Sequence, residues 1–216
     1  MKNLTTKEIF SLAVQNHKKN NIKAAQNLYN QILKVNPSHV DANNNLGVIF
    51  QQLEQPKKAI GFFQKVIQIN PNHSDAYYNL GKIFNELNEY EKAINYYKKT
   101  IQINPNQADV HNNLGVIFRN LGEHQQAISC YEKAIKIDPN YVNAYNNLGT
   151  ILGELNRINE AKKNFEKSLN LDPNKKETHE GYGNILLKLN HHNKALGYIR
   201  EGTGFIRFTQ KDFKII

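Results

Sequence analysis

Five of the six prolines, Pro37, Pro71, Pro105, Pro139 and Pro173, stand 34 residues apart in a chain of 216. Proline ends helices, so prolines at constant spacing mark the close of one structural unit repeated along the chain. Two further rows keep the same step: Gly47, Gly81, Gly115, Gly149 and Gly183, and Ala25, Ala59, Ala93, Ala127, Ala161 and Ala195. Six units follow, 6–39, 40–73, 74–107, 108–141, 142–175 and 176–209, which make a single repeat domain over residues 1–209. In such an array each unit buries its apolar face mainly against its neighbours.

Within a unit the apolar residues advance by three and four, as in Leu46, Ile49, Phe50 and Leu53, and again in Ala59, Ile60, Phe63, Val66 and Ile67. That is the period of two amphipathic helices. Gly122, with Asn or Glu at the equivalent place in other units, fits the short turn between them. The second helix ends where Asn or Asp precedes the proline, because proline pushes its predecessor out of the helical region. Each unit is therefore predicted to be a helical hairpin.

This pattern resembles the tetratricopeptide repeat. The Leu-Gly pair of that family stands at Leu46-Gly47, Leu80-Gly81, Leu114-Gly115 and Leu148-Gly149, and its first-helix aromatic at Phe50, Phe84 and Phe118. The second-helix Ala and aromatic are Ala59 and Phe63, Ala93 and Tyr97, Ala127 and Tyr131, and Ala161 and Phe165. Where the family has a first-helix Trp, this chain has Tyr77 and Tyr145, or Asn43 and His111. The resemblance implies an all-α fold, a right-handed superhelical solenoid of six tetratricopeptide-type helical hairpins, with first helices lining a concave surface. The ends depart from the pattern. Unit 6–39 has Ala13 at the glycine and Asn16 at the aromatic, and unit 176–209 has Tyr182 for the Leu and Arg207 for the proline. The last helix is expected to stop near Gly202 and Gly204, leaving residues 203–216 as a short non-helical tail or hairpin that caps the sixth unit.

A net charge of +9 raises the question of a nucleic-acid partner, and the placement of the charges answers it. The first helices of the four central units carry Asp41, Asp75, Glu86, Asp109 and Glu154 against Lys82 and Arg119. The basic excess lies outside the groove, whereas a phosphate-tracking groove needs Lys and Arg within it. No stretch approaches the roughly 18 apolar residues of a membrane span, and the single Cys130 cannot close an internal disulfide, so a cytoplasmic location is expected. No catalytic site, metal or cofactor is expected either. His191 and His192 would diverge by about 100° on one helix, Cys130 has Lys133 nearby but no His at helical contact spacing, and Gly202-Thr203-Gly204 lacks the following helix of a phosphate loop.

The candidate site is a ladder. Asn45, Asn79, Asn113 and Asn147 occupy one position in four successive units, immediately before each Leu-Gly. One helical turn earlier stand Asp41, Asp75, Asp109 and Asn143, while Asn112 and Asn146 flank the ladder and Lys82 and Thr150 lie further along it. Neighbouring helices pack at about 8–10 Å, close to three residues of extended chain at ~3.3 Å each. An Asn amide offers a peptide group both a donor and an acceptor. The arrangement is similar to the Asn and Asp ladders in the repeat domain of the O-linked N-acetylglucosamine transferases, which hold extended substrate segments. It implies a protein-protein interaction scaffold or adaptor that binds an extended peptide in its groove. The alternative is the substrate-recruiting module of an enzyme, for example a glycosyltransferase, whose catalytic domain is separate. Two structural readings compete with both: asparagines shared by duplication alone, and aspartates that serve only the helix dipole and cap. The basic clamp by which some family members hold a C-terminal carboxylate does not fit, because Asp41, Asp75 and Asp109 fill its basic position.

If residues 203–216 are a cap, deleting them exposes the apolar face of the sixth unit. The truncated chain is then expected to aggregate and melt earlier in a light-scattering and circular-dichroism temperature ramp, whereas an unchanged profile removes the capping role.

Overall fold

A computed structural model describes residues 4–203 of the chain, and among them every regular element is an α-helix. Two compact units divide it, Met1–Pro105 and Asn106–Ile216. The first contains three hairpins, α1 (Thr6–Lys18) with α2 (Ile22–Val35), α3 (Val40–Gln52) with α4 (Pro56–Ile69), and α5 (Ser74–Glu86) with α6 (Tyr90–Ile103). The second contains α7 (Ala108–Asn120) with α8 (His124–Ile137), α9 (Val142–Glu154) with α10 (Ile158–Leu171), and α11 (Lys176–Lys188) with α12 (His192–Thr203). Within each unit the second helix of one hairpin packs on the first helix of the next, as α2 does on α3 and α8 on α9. First helices of adjacent hairpins also meet, α3 with α5, α7 with α9, and α9 with α11. The expected capping tail lies outside the described residues apart from Thr203, which ends α12.

The turn inside each hairpin needs one residue in the left-handed region. Asn20, Glu54, Asn88, Gly122, Asn156 and Asn190 supply it, with φ between 55° at Glu54 and 75° at Gly122. Asn and Gly take this conformation readily, while Glu54 carries a Cβ against the following carbonyl. The residue before each proline has left the helix, as Asn70 with φ −129° and ψ 93° shows. Its side chain then accepts from the backbone two residues on: Ser38 N donates to Asn36 at 3.1 Å, Asn72 N to Asn70 at 3.1 Å, Asn140 N to Asp138 at 2.9 Å and Asn174 N to Asp172 at 3.0 Å. This local turn explains the Asn or Asp in front of the proline.

Glycine and an aromatic ring set the spacing inside a hairpin. A Cβ added to Gly47 would lie 2.7 Å from the Phe63 ring, on Gly81 2.6 Å from Tyr97, on Gly115 2.5 Å from Tyr131, and on Gly149 3.1 Å from Phe165. All four rings are buried, as are the six alanines of the 34-residue row. Where the family Trp is missing, polar groups tie the helix start to the preceding proline. Asn43, fully buried, donates from Nδ2 to Pro37 O at 3.1 Å and to His39 O at 2.8 Å, and His179 Nε2 stands 2.6 Å from Pro173 O. His111 is half-buried, as its replacement of an aromatic suggests.

Two substitutions in the first unit are expected to act in opposite directions. Gly81→Ala forces a methyl into the buried Tyr97 ring and costs about 1–3 kcal/mol. Glu54→Gly relieves a left-handed backbone and gains roughly 0.5–1 kcal/mol. Urea midpoints at an unchanged slope give both signs.

Candidate peptide-binding face

The ladder position in the first unit lies over the ring that closes the preceding hairpin. Asn45, half-buried on α3, donates from Nδ2 to the hydroxyl of Tyr29 on α2 at 3.0 Å. Tyr29 is fully buried, and burial, opposed by the Asn45 bond, leaves its phenol above the ordinary tyrosine range and hence protonated. A recess of about 350 Å³ opens beside this pair, with Val14 and Val48 as apolar walls and His17, Lys18 and Gln52 at its polar edge. His17 Nε2 lies 3.2 Å from Gln52 Oε1 and its ring meets that of Tyr29 edge-on, which joins the end of α1 to the end of α3. In the next hairpin Phe63 replaces Tyr29 and offers no hydroxyl. Asn79 is half-buried there and makes no side-chain hydrogen bond among the described residues; Lys82 is half-buried one turn further on.

Asp41 and Asp75 are exposed in the first turns of α3 and α5, where a negative charge suits the helix dipole. They are not the caps. His39 and His73 accept from the backbone of Ala42 at 3.3 Å and Ala76 at 3.2 Å.

In the second unit the same positions are bonded differently. Asp109 is half-buried in the first turn of α7, and Asn113 makes no side-chain hydrogen bond among the described residues. Asn147 does not reach back to Tyr131, the counterpart of Tyr29. Its Nδ2 donates instead to Oδ1 of buried Asn112 on α7 at 2.9 Å, and the Tyr131 hydroxyl stays buried without a hydrogen-bond partner among the described residues. Burial pushes that phenol far above the tyrosine range. Asn146 accepts at Oδ1 from Thr178 on α11 at 3.0 Å, and Thr178 also meets Ser168 on α10 at 2.9 Å. Arg119 makes a two-point fork on Glu154, with Nε donating at 3.1 Å, at the positions His17 and Gln52 hold in the first unit. At the sixth hairpin the ladder residue is Gly181, where a Cβ would lie 2.7 Å from the Phe165 ring.

The candidate residues therefore fall into two groups. Asn45, Asn112, Asn146 and Asn147 bridge adjacent hairpins, and Asn79 and Asn113 keep their amides uncommitted. Sequence reasoning did not single out Tyr29, His17, Gln52 or the Arg119–Glu154 fork. In the structure each of these contacts spans 35 residues, linking His17 to Gln52, Asn112 to Asn147, Arg119 to Glu154 and Lys188 to the Gly153 carbonyl, but the residue types differ from pair to pair and leave no row in the sequence. Groups elsewhere are inert by comparison. Burial pushes the Cys130 thiol up despite Lys133, and His191 precedes α12 instead of sharing a helix with His192. No group of His, Cys, Asp and Glu among the described residues is placed to hold a metal ion, and no described helix is long and apolar enough to cross a membrane.

Comparison with known proteins agrees with this architecture. A tetratricopeptide repeat model matches residues 40–73 and 108–141, a second matches 62–95 and 130–163, and a TPR repeat model matches 81–122, which together span 40–163 without a gap. No curated protein matches the chain in sequence. Among solved structures, MamA is 28% identical, with a TM-score of 0.69 over 78% of this chain and 92% of its own. PilW, described as a type IV pilus biogenesis factor, superposes with a TM-score of 0.80 over 98% of both chains at 17% identity. YrrB, described as a TPR protein with an unusual peptide-binding site, has a TM-score of 0.65 at 18% identity over 82% of this chain and 91% of its own. The last two are likenesses of fold alone.

The two groups of asparagines predict different responses to truncation. Asn147→Ala leaves the buried Asn112 carbonyl without its donor and is expected to cost about 1–3 kcal/mol. Asn79→Ala is expected to be neutral or to gain up to roughly 0.7 kcal/mol, because Asn is the poorer helix former. Chemical unfolding of the two single variants reads the contrast.

Proposed function

The chain belongs to the tetratricopeptide repeat family, and from that premise we propose that it is a protein-interaction scaffold or adaptor that grips an extended peptide along its first helices. The observation that carries this reading is the half-buried amide presented at one first-helix position in four consecutive hairpins, two of the four uncommitted. An amide so placed loses little side-chain entropy on binding and exchanges a donor and an acceptor with a peptide group. Such contacts go to backbone, so they ask little of the ligand's sequence. The aspartates one turn earlier add a negative edge, and Lys82 a local positive one. The matching family models are all repeat families, and catalysis forms no part of the proposal. A reducing cytoplasm suits the lone, buried thiol of Cys130.

The test is selection of binders from a random 12-residue peptide library on the whole chain, followed by fluorescence anisotropy with labelled winners. The Asn79→Ala/Asn113→Ala variant is expected to keep its melting temperature and to bind at least fivefold more weakly, since two hydrogen bonds of about 0.5–1.5 kcal/mol each are lost. Normal binding by that variant rejects the ladder as the grip.

A further inference from the structure

Where consecutive hairpins meet at the ends of their first helices, equivalent positions are tied together at three junctions. His17 meets Gln52 at 3.2 Å, Arg119 forks Glu154 with Nε donating at 3.1 Å, and Lys188 donates to the Gly153 carbonyl at 3.0 Å. At the junction of the second and third hairpins the corresponding residues are Gln51 and Glu86, and neither makes a hydrogen bond or ion pair among the described residues. A recess of about 260 Å³ stands there, lined by Gln51, Glu54, Pro56, Ile83, Glu86 and Leu87. Pockets that hold small molecules measure roughly 300–1,000 Å³, so this one is of a size for a single side chain.

The lining is apolar with an acidic rim. Pro56 and Leu87, the latter 44% exposed, stand over buried Ile83, and the carboxylates of Glu54 and Glu86 are both exposed. Lys82 precedes Glu86 by one turn and Lys57 and Lys58 follow Glu54, yet none of them is paired with either carboxylate; Lys58 lies over the Phe50 ring at 5.2 Å. Four other recesses each have a lysine in the lining, Lys34, Lys194, Lys18 and Lys99 respectively. Two residues of the acidic recess also depart from the repeat. The other five hairpin turns use Asn or Gly in the left-handed position, where Glu54 takes φ 55° at a steric cost. Pro56 opens α4, at a position held elsewhere by Ile22, Tyr90, His124, Ile158 and His192. Both departures fall on one recess.

We infer that this recess is an anchor for one arginine side chain of the bound peptide, with the aliphatic stem laid on Pro56 and Leu87 and the guanidinium on Glu54 and Glu86. The inference deepens the peptide-binding reading above and rests on it. The second unit supplies the precedent, because Arg119 reaches Glu154 from within the chain at positions equivalent to Gln51 and Glu86. Gln51 brings no charge, which leaves the fork to a ligand. Arginine suits a recess that is apolar below and acidic above: its stem covers apolar surface while its planar head offers five donors to groups that only accept. A lysine ammonium is more strongly hydrated and cannot fork. Glu86 lies seven residues beyond Asn79 on α5, two turns or about 10 Å along the same face, so the anchor stands beside the ladder.

The experiment uses the whole chain and 12-residue peptides selected from the random library, each synthesised with Arg, Lys and citrulline at the recurring basic position. The Arg form is expected to bind the wild type about fivefold more tightly than the citrulline form, with the Lys form between them. In the Glu54→Asn/Glu86→Gln variant the gap is expected to close to less than about twofold, with the citrulline peptide bound as before. Asn stands at the equivalent positions 20, 88, 156 and 190 and Gln at 52, so the variant is compatible with the fold, and its melting curve verifies this. A second pair of variants tests the fork without a peptide: Gln51→Arg is expected to raise the urea midpoint by about 0.3 M over Gln51→Lys, and equal midpoints overturn the anchor. Selected peptides with no recurring arginine, whose binding still depends on Asn79 and Asn113, overturn the anchor and leave the ladder standing. An arginine preference that survives in the double variant overturns it as well, since the guanidinium is then held elsewhere. Dimerisation of the wild type in sedimentation that is lost in the double variant shows the recess filled by a second copy, and overturns the peptide anchor too.

Discussion

The contact on which the hairpins depend is a glycine of the first helix pressed against an aromatic ring of the second. With contacts that an added Cβ would shorten to 2.5–3.1 Å at Gly47, Gly81, Gly115 and Gly149, neither helix can slide without clashing or opening a void. The ring also reaches beyond its own hairpin. Phe165 stands against Gly149 behind it and Gly181 ahead of it, and the hydroxyl of Tyr29 meets Asn45 of the next hairpin. One buried side chain thus sets both the width of a hairpin and what the next hairpin can place on its first helix. The ladder position is the place where that ring emerges, which is why a side chain there is half-buried and why Gly181 replaces Asn where the ring itself fills the space.

A half-buried amide next to other polar groups has two uses that compete. Bonding to the neighbouring hairpin, as Asn147 does to Asn112, is worth on the order of 1 kcal/mol to the fold, and a ligand that wants the same donor must first break it. An uncommitted amide such as that of Asn79 is a small liability to helix stability, and a ligand that meets it has no bond to break first. Equal residues at equal positions therefore contribute unequally to stability and keep unequal hydrogen-bonding capacity. The difference comes from their neighbours: Tyr29 supplies an oxygen to Asn45, Phe63 supplies none to Asn79, and Asn112 draws Asn147 away from Tyr131.

The features that recur every 34 residues were legible in the sequence, because a constraint met six times leaves a row of residues. The prolines and the Asn or Asp before them correspond to the observed turn geometry, the Gly122 row to the left-handed residues, and the Leu-Gly and aromatic rows to the buried contact. Family membership followed from the same rows. Pairings between hairpins were not legible. His17 with Gln52 and Arg119 with Glu154 fill one spatial position with different chemistry, so no row of like residues marks them. The bonding of Asn147 escaped for a related reason, since it is decided by a side-chain rotation toward Asn112 that spacing does not encode. The first-turn aspartates were placed correctly on the helix, while the capping role fell to His39 and His73 two residues earlier, because a ring nitrogen at that position reaches the open backbone N–H first.

Repetition and recognition make opposite demands on such a chain. Similar hairpins let one glycine–aromatic packing solution serve at Gly47, Gly81, Gly115 and Gly149, and they place like residues at like positions of successive first helices. A uniform face binds a peptide in every register with similar free energy, and the population then divides among registers. Discrimination has to come from positions that packing leaves unconstrained. The helix ends that carry Lys18, Gln52, Glu86 and Glu154 are such positions: each is at the last turn of a first helix or just beyond it, beside the ladder, and outside the glycine–aromatic contact. Change there alters the charge of a recess without disturbing the spacing of the helices. The fold thereby fixes the glycine–aromatic face of α3, α5, α7 and α9 and leaves the residues at the ends of those helices free to differ.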